Sequence, residues 1–258
     1  MSAPSYHHQM PVLPASVRVA LWASAAFNGW ADLSEVGRQA LPDIDEVVGL
    51  GPALASWRDL GEKVVLVALP RPGHSHGMPA GTPEMLAAAH AAEEAVFVPG
   101  LGGALVPRVS PFGPEGDQGW LVDWQSYACD PVPAHVVQAM SISEAELRLR
   151  TTLAELTERL TATPGSPMAG AAAEIGARRG LHQSWGLPPG LPRRCAKVVE
   201  LSGSVLHLGD IGLADDMQSV DSAATTAREV LLRQLRREAA EALSTATNVA
   251  ALSYAGWA

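Results

Sequence analysis

The first half of the chain carries both strand-like and helix-like patterns of apolar positions. Segment 63–69 (KVVLVAL) is almost continuously apolar, which is typical of a strand buried on both faces, and segment 95–98 returns as a second strand. Between them, Thr82 as N-cap and Pro83 at the first helical position predict a helix. A strand, a helix and a strand in this order predict a parallel βαβ unit.

Alternating apolar positions predict further strands on either side of this unit. In Val17–Trp22, apolar residues alternate with other positions that include the charged Arg18. In segment 120–127, apolar residues alternate with polar ones such as Asp123. Glycine-rich turns flank segment 104–109, so this segment and 120–127 are expected to form a half-exposed antiparallel meander. The remaining elements predicted for this half are two short helices, 32–41 and 52–60, and a short strand, 135–139.

The second half shows helical patterns only. Ser143 and Glu146 form a capping box that opens a helix over 144–162. An alanine-rich helix is predicted over 168–180, and another helix includes 198–212. The last helix, 223–254, would be on the order of 45 Å long. A helix of that length is expected to break, to pair with helix 144–162, or to offer part of its small-residue face to a partner.

These patterns predict a mixed α/β half with a partly antiparallel sheet, followed by an all-α helical half. The predicted boundaries are a flexible tail over 1–11, an α/β domain over 12–140, and helices over 141–258. The helical part is either a domain of its own or an extension packed on the first.

Composition and charge narrow the function classes. The 258 residues carry a formal net charge of −9, and residues 1–130 hold 14 acidic against 6 basic side chains, which argues against nucleic-acid binding. No stretch is apolar enough to span a bilayer, and the first residues lack the pattern of a secretory signal. The two cysteines show no pairing pattern, so free buried thiols in a reducing, cytoplasmic compartment are expected.

The most conspicuous motif is Gly73-His74-Ser75-His76-Gly77. It resembles the nucleophile elbow of α/β hydrolases, and the resemblance implies Ser75 as nucleophile. Candidates for the acid and the base later in the chain are Asp123 or Asp130, followed by His135 or His182. An elbow serine follows its strand directly, whereas Pro70, Arg71 and Pro72 intervene here. The sequence therefore predicts a surface loop over 70–81.

The same loop offers two alternating histidines, His74 and His76. An H-x-H pair can ligate zinc, and His90, His135 and nearby carboxylates are available as further ligands. No spacing singles out a third ligand, and histidines in loops are commonly exposed. The sequence therefore predicts no metal and no cofactor.

Three tryptophans are candidates for ligand or partner binding. Trp120 and Trp124 share one face of the predicted meander and could line a groove. Trp185 lies in the proline-rich segment SWGLPPGLP, which could act as a docking loop. The alternative for all three tryptophans is a structural role, with the side chains packed in the core.

The favoured interpretation is a non-catalytic, cytoplasmic interaction, scaffold or regulatory protein. It would bind another protein, or itself, through the C-terminal helices. The alternative is a hydrolase or a small-ligand or metal-binding protein that uses the loop 70–81, since open α/β sheets place their sites at strand ends. A convergence of loop side chains in one cleft would favour the alternative.

Overall fold

The computed structural model describes residues 13–114, 117–162, 186–216 and 222–258. The helices along these residues are α1 (Ala15–Phe27), a 3₁₀ turn (Leu33–Glu35), α2 (Val36–Ala40), α3 (Leu50–Asp59), α4 (Pro83–Ala92), α5 (Ala134–Gln138), α6 (Ile142–Ala162), α7 (Arg193–Asp216) and α8 (Ser222–Tyr254). The strands are β1 (Glu46–Val48), β2 (Leu66–Ala68), β3 (Ala95–Val98), β4 (Gly103–Phe112) and β5 (Gly119–Ala128). A mixed α/β half followed by a helical half is thus confirmed.

The five strands form one sheet in the order β1-β5-β4-β3-β2. The pairs β2–β3, β3–β4 and β4–β5 are antiparallel, and only β1–β5 is parallel. The predicted antiparallel meander of β4 and β5 is confirmed, whereas the predicted parallel βαβ unit of β2, α4 and β3 is wrong.

The reason lies in the path of the loop 70–81. Gly81 forms a bridge with Cys129, which follows the end of β5. The registers of β3, β4 and β5 place that end level with the start of β2 at Leu66, with β4 and β3 between the two strands. The loop therefore runs back along the sheet to the level where β2 starts, and α4 then leads to the level where β2 ends. Strand β3 begins there and runs antiparallel to β2.

Strand β2 is buried on both faces, as its apolar run predicts. Val65 and Val67 belong to the large core cluster that contains α1 and side chains of α6, α7 and α8. Val64 and Leu66 belong to a second cluster with Met85 of α4. The sheet therefore lies between α4 on one face and α1 with the C-terminal helices on the other.

The predicted strand over 17–22 is wrong, because these residues belong to helix α1. Twelve of the thirteen residues of α1 are buried, including the charged Arg18. A helix that is buried almost all round has no polar stripe with a period of 3.6 residues, so its sequence does not show helical periodicity. Val17, Arg18 and Val19 are all buried, so the alternation of apolar and charged residues does not correspond to alternating exposure.

The predicted strand over 135–139 is also wrong, since Ala134–Gln138 forms helix α5. Pro133 occupies its N-cap position, and the backbone N–H of Val136 donates to the Pro133 carbonyl at 2.9 Å. A proline with fixed φ just before the first turn favours the start of a helix.

The helical half follows the predicted order closely. Helix α6 begins at Ile142, two residues before the predicted first residue 144, because Ser141 rather than Ser143 accepts the hydrogen bond from the backbone N–H of Glu144, at 3.3 Å. Helix α8 is continuous and packs against α6, α7, α1 and β2. The predicted tail 1–11, helix 168–180 and Trp185 lie outside the described residues. None of the described helices is both long and apolar enough to cross a membrane.

Side chains from both halves close the free edge of β2. Ser24 of α1 accepts from the backbone N–H of Val65 at 2.9 Å and donates to its carbonyl at 3.2 Å. The amide of Asn248 in α8 binds both backbone groups of Val67, and Ser244 also donates to that carbonyl. The two halves therefore share one core and one set of sheet-edge hydrogen bonds.

Candidate metal centre

The loop 70–81 is held in a defined conformation at its start. Arg71 and His74 exchange two backbone hydrogen bonds of 2.9 and 2.7 Å, and Gly73 between them has a φ of +74°. The buried guanidinium of Arg71 donates to the carbonyl of Glu93 at 2.7 Å. This anchoring fixes the direction in which the next side chains leave the loop.

A chain of ion pairs ties this anchor to the helical half. The carboxylate of Glu93 lies 3.7 Å from Nη1 of Arg71 and 2.8 Å from Nη2 of Arg236 in α8. Nε of Arg236 lies 2.6 Å from a carboxylate oxygen of Asp210 in α7. Burial lowers the pKa of Arg71, while the charge of Glu93 opposes that shift.

His74 and His76 point together toward Glu241 of α8. Their Nε2 atoms lie 3.5 and 3.7 Å from the two carboxylate oxygens of Glu241. The two imidazoles are stacked, with ring centroids 5.9 Å apart and planes inclined by 10°. One donor atom from each of the three residues lies within 4.8 Å of the other two, an arrangement that could hold a metal ion.

The burial of these donors is uneven. Nε2 of His74 is shielded from solvent and makes no hydrogen bond with the described residues. The side chain of Glu241 is only 13% exposed, whereas that of His76 is 52% exposed. The guanidinium of Arg148 in α6 binds the same Glu241 carboxylate. Loop, α6 and α8 therefore meet at one carboxylate.

A small cavity adjoins this cluster in the groove between α6 and α8. Its volume is about 160 Å³, and both His76 and Glu241 form part of its wall. The other polar groups of the wall are Ser141, which precedes α6, Glu144 and Arg148 of α6, and Glu238 and Thr245 of α8. An ion held by His76 and Glu241 would therefore face the cavity.

The candidate catalytic set Ser75, Asp123 and His135 is not joined by hydrogen bonds. Ser75 is exposed, and its Oγ lies 2.9 Å from Nε2 of His90 in α4. Asp123 lies within β5, opposite Arg108 of β4. His135 is exposed on α5, and within the described ranges no hydrogen bond or ion pair connects it or Asp123 to Ser75.

The tryptophan candidates have separate positions. Trp124 is 2% exposed and lies in the large core cluster, so it does not line an open groove. Trp120 is partly buried against the same cluster, and its backbone N–H donates to Asp45 at 2.8 Å. Trp124 is therefore a core residue, whereas a binding role for the partly buried Trp120 stays a prediction.

Both cysteines are buried and free, as predicted. Burial raises the pKa of the Cys129 thiol to about 11, and the charge of Asp130 adds to this shift. Burial also raises the pKa of Cys195. Neither environment favours the thiolate that a nucleophilic cysteine requires.

We therefore expect Cys129 to resist alkylation in the folded protein at pH 8. With a pKa of about 11, only about 0.1% of the thiol is ionised at that pH. Mass spectrometry after iodoacetamide treatment should show modification in urea but little without it, and a steep rise only above about pH 10. Complete native labelling at pH 8 would contradict the buried, protonated thiol.

Sequence reasoning found the two histidines but not their carboxylate partner. Glu241 lies on a helix whose alternating charges, such as Arg237 and Glu238, are typical of a solvated face, yet its own side chain is only 13% exposed. The available signal is its setting among Ala239, Ala240 and Ala242, three small buried residues. Small neighbours allow another segment to approach the helix closely.

Comparisons with known proteins place the chain in a family. No curated protein and no solved structure matches it. Two family models match in tandem: the Rv1486c-like protein, N-terminal domain, over residues 16–140, and the Rv1486c-like protein, C-terminal domain, over residues 143–244. Together the two matches span most of the chain, which therefore belongs to the Rv1486c-like proteins and carries both of their domains in order.

Proposed function

We propose that this protein binds a divalent transition-metal ion, zinc by its ligand chemistry, through His74, His76 and Glu241. The observation that carries the proposal is the convergence of two imidazoles and one carboxylate from the loop 70–81 and helix α8. Imidazole nitrogen and carboxylate oxygen are both common ligands of Zn²⁺. The proposal departs from the expectation, based on sequence, of a protein without a cofactor.

The spacing of the donors supports a tetrahedral ion. With bonds of about 2.0–2.2 Å, neighbouring ligand atoms of tetrahedral zinc stand about 3.3–3.5 Å apart. The distances of 3.5 and 3.7 Å from the imidazoles to Glu241 are close to that value. They are longer than good hydrogen bonds, so the cluster is spaced for an ion between the groups rather than for direct contact.

The environment of His74 supports the same conclusion. A buried polar atom without a partner costs about 1–3 kcal/mol, and Nε2 of His74 is such an atom within the described structure. A metal ion would give this nitrogen its partner. Arg148 would then act as an outer-shell group that holds the Glu241 carboxylate in place, a role that commonly supports metal ligands.

Three protein ligands leave at least one coordination position for water or a ligand, which is typical of catalytic and ligand-binding zinc sites. That position would face the cavity between α6 and α8, because His76 and Glu241 line it. A protein-interaction role remains a prediction. The long helix that suggested it packs along α6, α7, α1 and β2, so the metal site has the more specific support.

Zinc titration of chelator-treated protein tests this proposal. We expect one Zn²⁺ per chain by calorimetry and elemental analysis, and at least about 100-fold weaker binding in His74→Ala and in Glu241→Gln, a loss of about 2.7 kcal/mol. The matched control is His135→Ala, because His135 is exposed on α5 and does not line the cluster. It should bind zinc as the unmodified protein does.

Circular dichroism of each variant separates loss of the ligand from loss of the fold. Folded protein that binds no zinc at neutral pH would refute the proposal. Equal affinity in the unmodified protein and in a His74→Ala, His76→Ala double variant would refute it as well.

A further inference from the structure

The cavity beside the metal cluster has the dimensions of a site for a very small molecule. Its volume of about 160 Å³ corresponds to roughly five water molecules and lies well below the range of about 300–1,000 Å³ for drug-sized ligands. The walls are helices α6 and α8, and His76 of the loop 70–81 closes one side. Ser141 and Thr245 add uncharged polar groups to the charged ones, and Ala139, Ala145, Leu149 and Ala242 form the apolar part of the wall.

The charges of the wall are of both signs. Three carboxylates, those of Glu144, Glu238 and Glu241, face one guanidinium, that of Arg148. This leaves two negative charges in excess, which a divalent ion at Glu241 would balance. A loaded cavity would then have no nominal net charge but would still hold separate positive and negative groups. Such a wall disfavours a simple anion or cation and favours a ligand that carries both charges.

Glu144 stands apart from the ion pairs of the wall. Glu144 and Arg148 stand four residues apart on α6, which places them on the same face about 6 Å apart along the helix axis. Glu238 is paired with Arg237 at 3.2 Å, and Glu241 is paired with Arg148. Glu144 has no basic partner among the described side chains, so its carboxylate is the available acceptor for an ammonium group.

We infer that the metal-loaded cavity binds a small zwitterion, such as a free amino acid. The carboxylate of the ligand takes the open coordination position of the ion and the remaining N–H donors of Arg148, and its ammonium group binds Glu144. This inference rests on the proposed metal site, because without the ion the wall retains its negative excess.

Calorimetric titration of the zinc-loaded protein with three probes at constant ionic strength tests the inference. The probes are glycine, acetate and methylammonium, which separate the zwitterion from each of its charges. We expect glycine to bind at least tenfold more tightly than acetate or methylammonium. Elemental analysis after each titration distinguishes binding at the site from extraction of the zinc.

Two variants place the ammonium group. Glu144→Gln should weaken glycine binding at least tenfold while one Zn²⁺ per chain is retained. Glu155→Gln is the matched control, since Glu155 is exposed on the same helix and does not line the cavity. It should bind glycine as the unmodified protein does.

The outcomes distinguish this inference from the proposed function. Zinc binding without measurable glycine binding would overturn the inference and leave the metal site standing. Acetate as tight as glycine would show a plain anion site, and glycine binding that is equally tight without zinc would show a site independent of the metal; either overturns the inference. Absence of zinc binding would remove the proposed function and the inference with it.

Discussion

Replacing Asn248 with alanine is expected to lower the free energy of unfolding by about 2–4 kcal/mol. Asn248 is 2% exposed, and its amide accepts from the backbone N–H of Val67 at 2.7 Å and donates to the Val67 carbonyl at 3.0 Å. Alanine leaves that N–H buried without a partner, at a cost of about 1–3 kcal/mol, and the lost volume adds to it. The carbonyl keeps the hydroxyl of Ser244 at 2.9 Å.

Urea unfolding followed by circular dichroism measures this loss. The control is Ser253→Ala on the same helix, because Ser253 is half-buried and its hydroxyl donates only to the Val249 carbonyl of its own helix, at 2.9 Å. We expect the control to change the free energy of unfolding by no more than about 0.5 kcal/mol. Equal losses in the two variants would show that the edge of β2 does not depend on Asn248.

Elements with a strong local signal could be predicted from the sequence. The apolar run of β2 requires burial on both faces, and the structure provides it. Helix α4 begins where Thr82 predicts, because the Thr82 hydroxyl accepts from the backbone N–H of Met85 at 3.2 Å. Helix α8 extends from Ser222 to Tyr254, as its composition predicts. Each of these signals lies within the element that it specifies.

Elements whose character depends on distant contacts could not be predicted. Helix α1 is surrounded by the sheet and the C-terminal helices. Because it is buried on nearly every side, its sequence has no alternation of apolar and polar faces with the helical period. The direction of β3 depends on the loop 70–81 running back along the sheet, a path shown by the bridge between Gly81 and Cys129 and not by the sequence. No local pattern in the loop encodes that path.

The candidate site shows the same division. The pair His74 and His76 is visible as a motif, but its partner Glu241 belongs to the other half of the chain. The contact of Asn248 with Val67 spans 181 residues, and no sequence pattern predicts it either. Both contacts come from α8, so the packing of this helix creates the site and closes the sheet together.

The second large effect is expected for Asp43→Asn, which should lower the free energy of unfolding by about 3 kcal/mol. The guanidinium of Arg18 in α1 is paired with both carboxylate oxygens of Asp43, and Arg18 is 2% exposed. Burial lowers the pKa of Arg18 to about 10, against an opposing contribution from the charge of Glu94. The amide of asparagine keeps the shape of Asp43 but leaves the buried guanidinium without that counter-charge.

The reverse deletion, Arg18→Met, should cost less, because the charge left behind is easier to hydrate. The Asp43 side chain is 25% exposed, whereas that of Arg18 is 3% exposed, and Glu94 keeps the hydrogen bond from the backbone N–H of Ser16 at 2.8 Å. The double variant should be more stable than Asp43→Asn alone, since no buried cation remains. Asp59→Asn in the exposed pair with Arg58 is the control, expected to cost no more than about 0.5 kcal/mol in the same urea series. If Arg18→Met proved the more destabilising single change, the packing of the Arg18 side chain in α1, rather than the charge of its pair, would determine the stability of this part of the core.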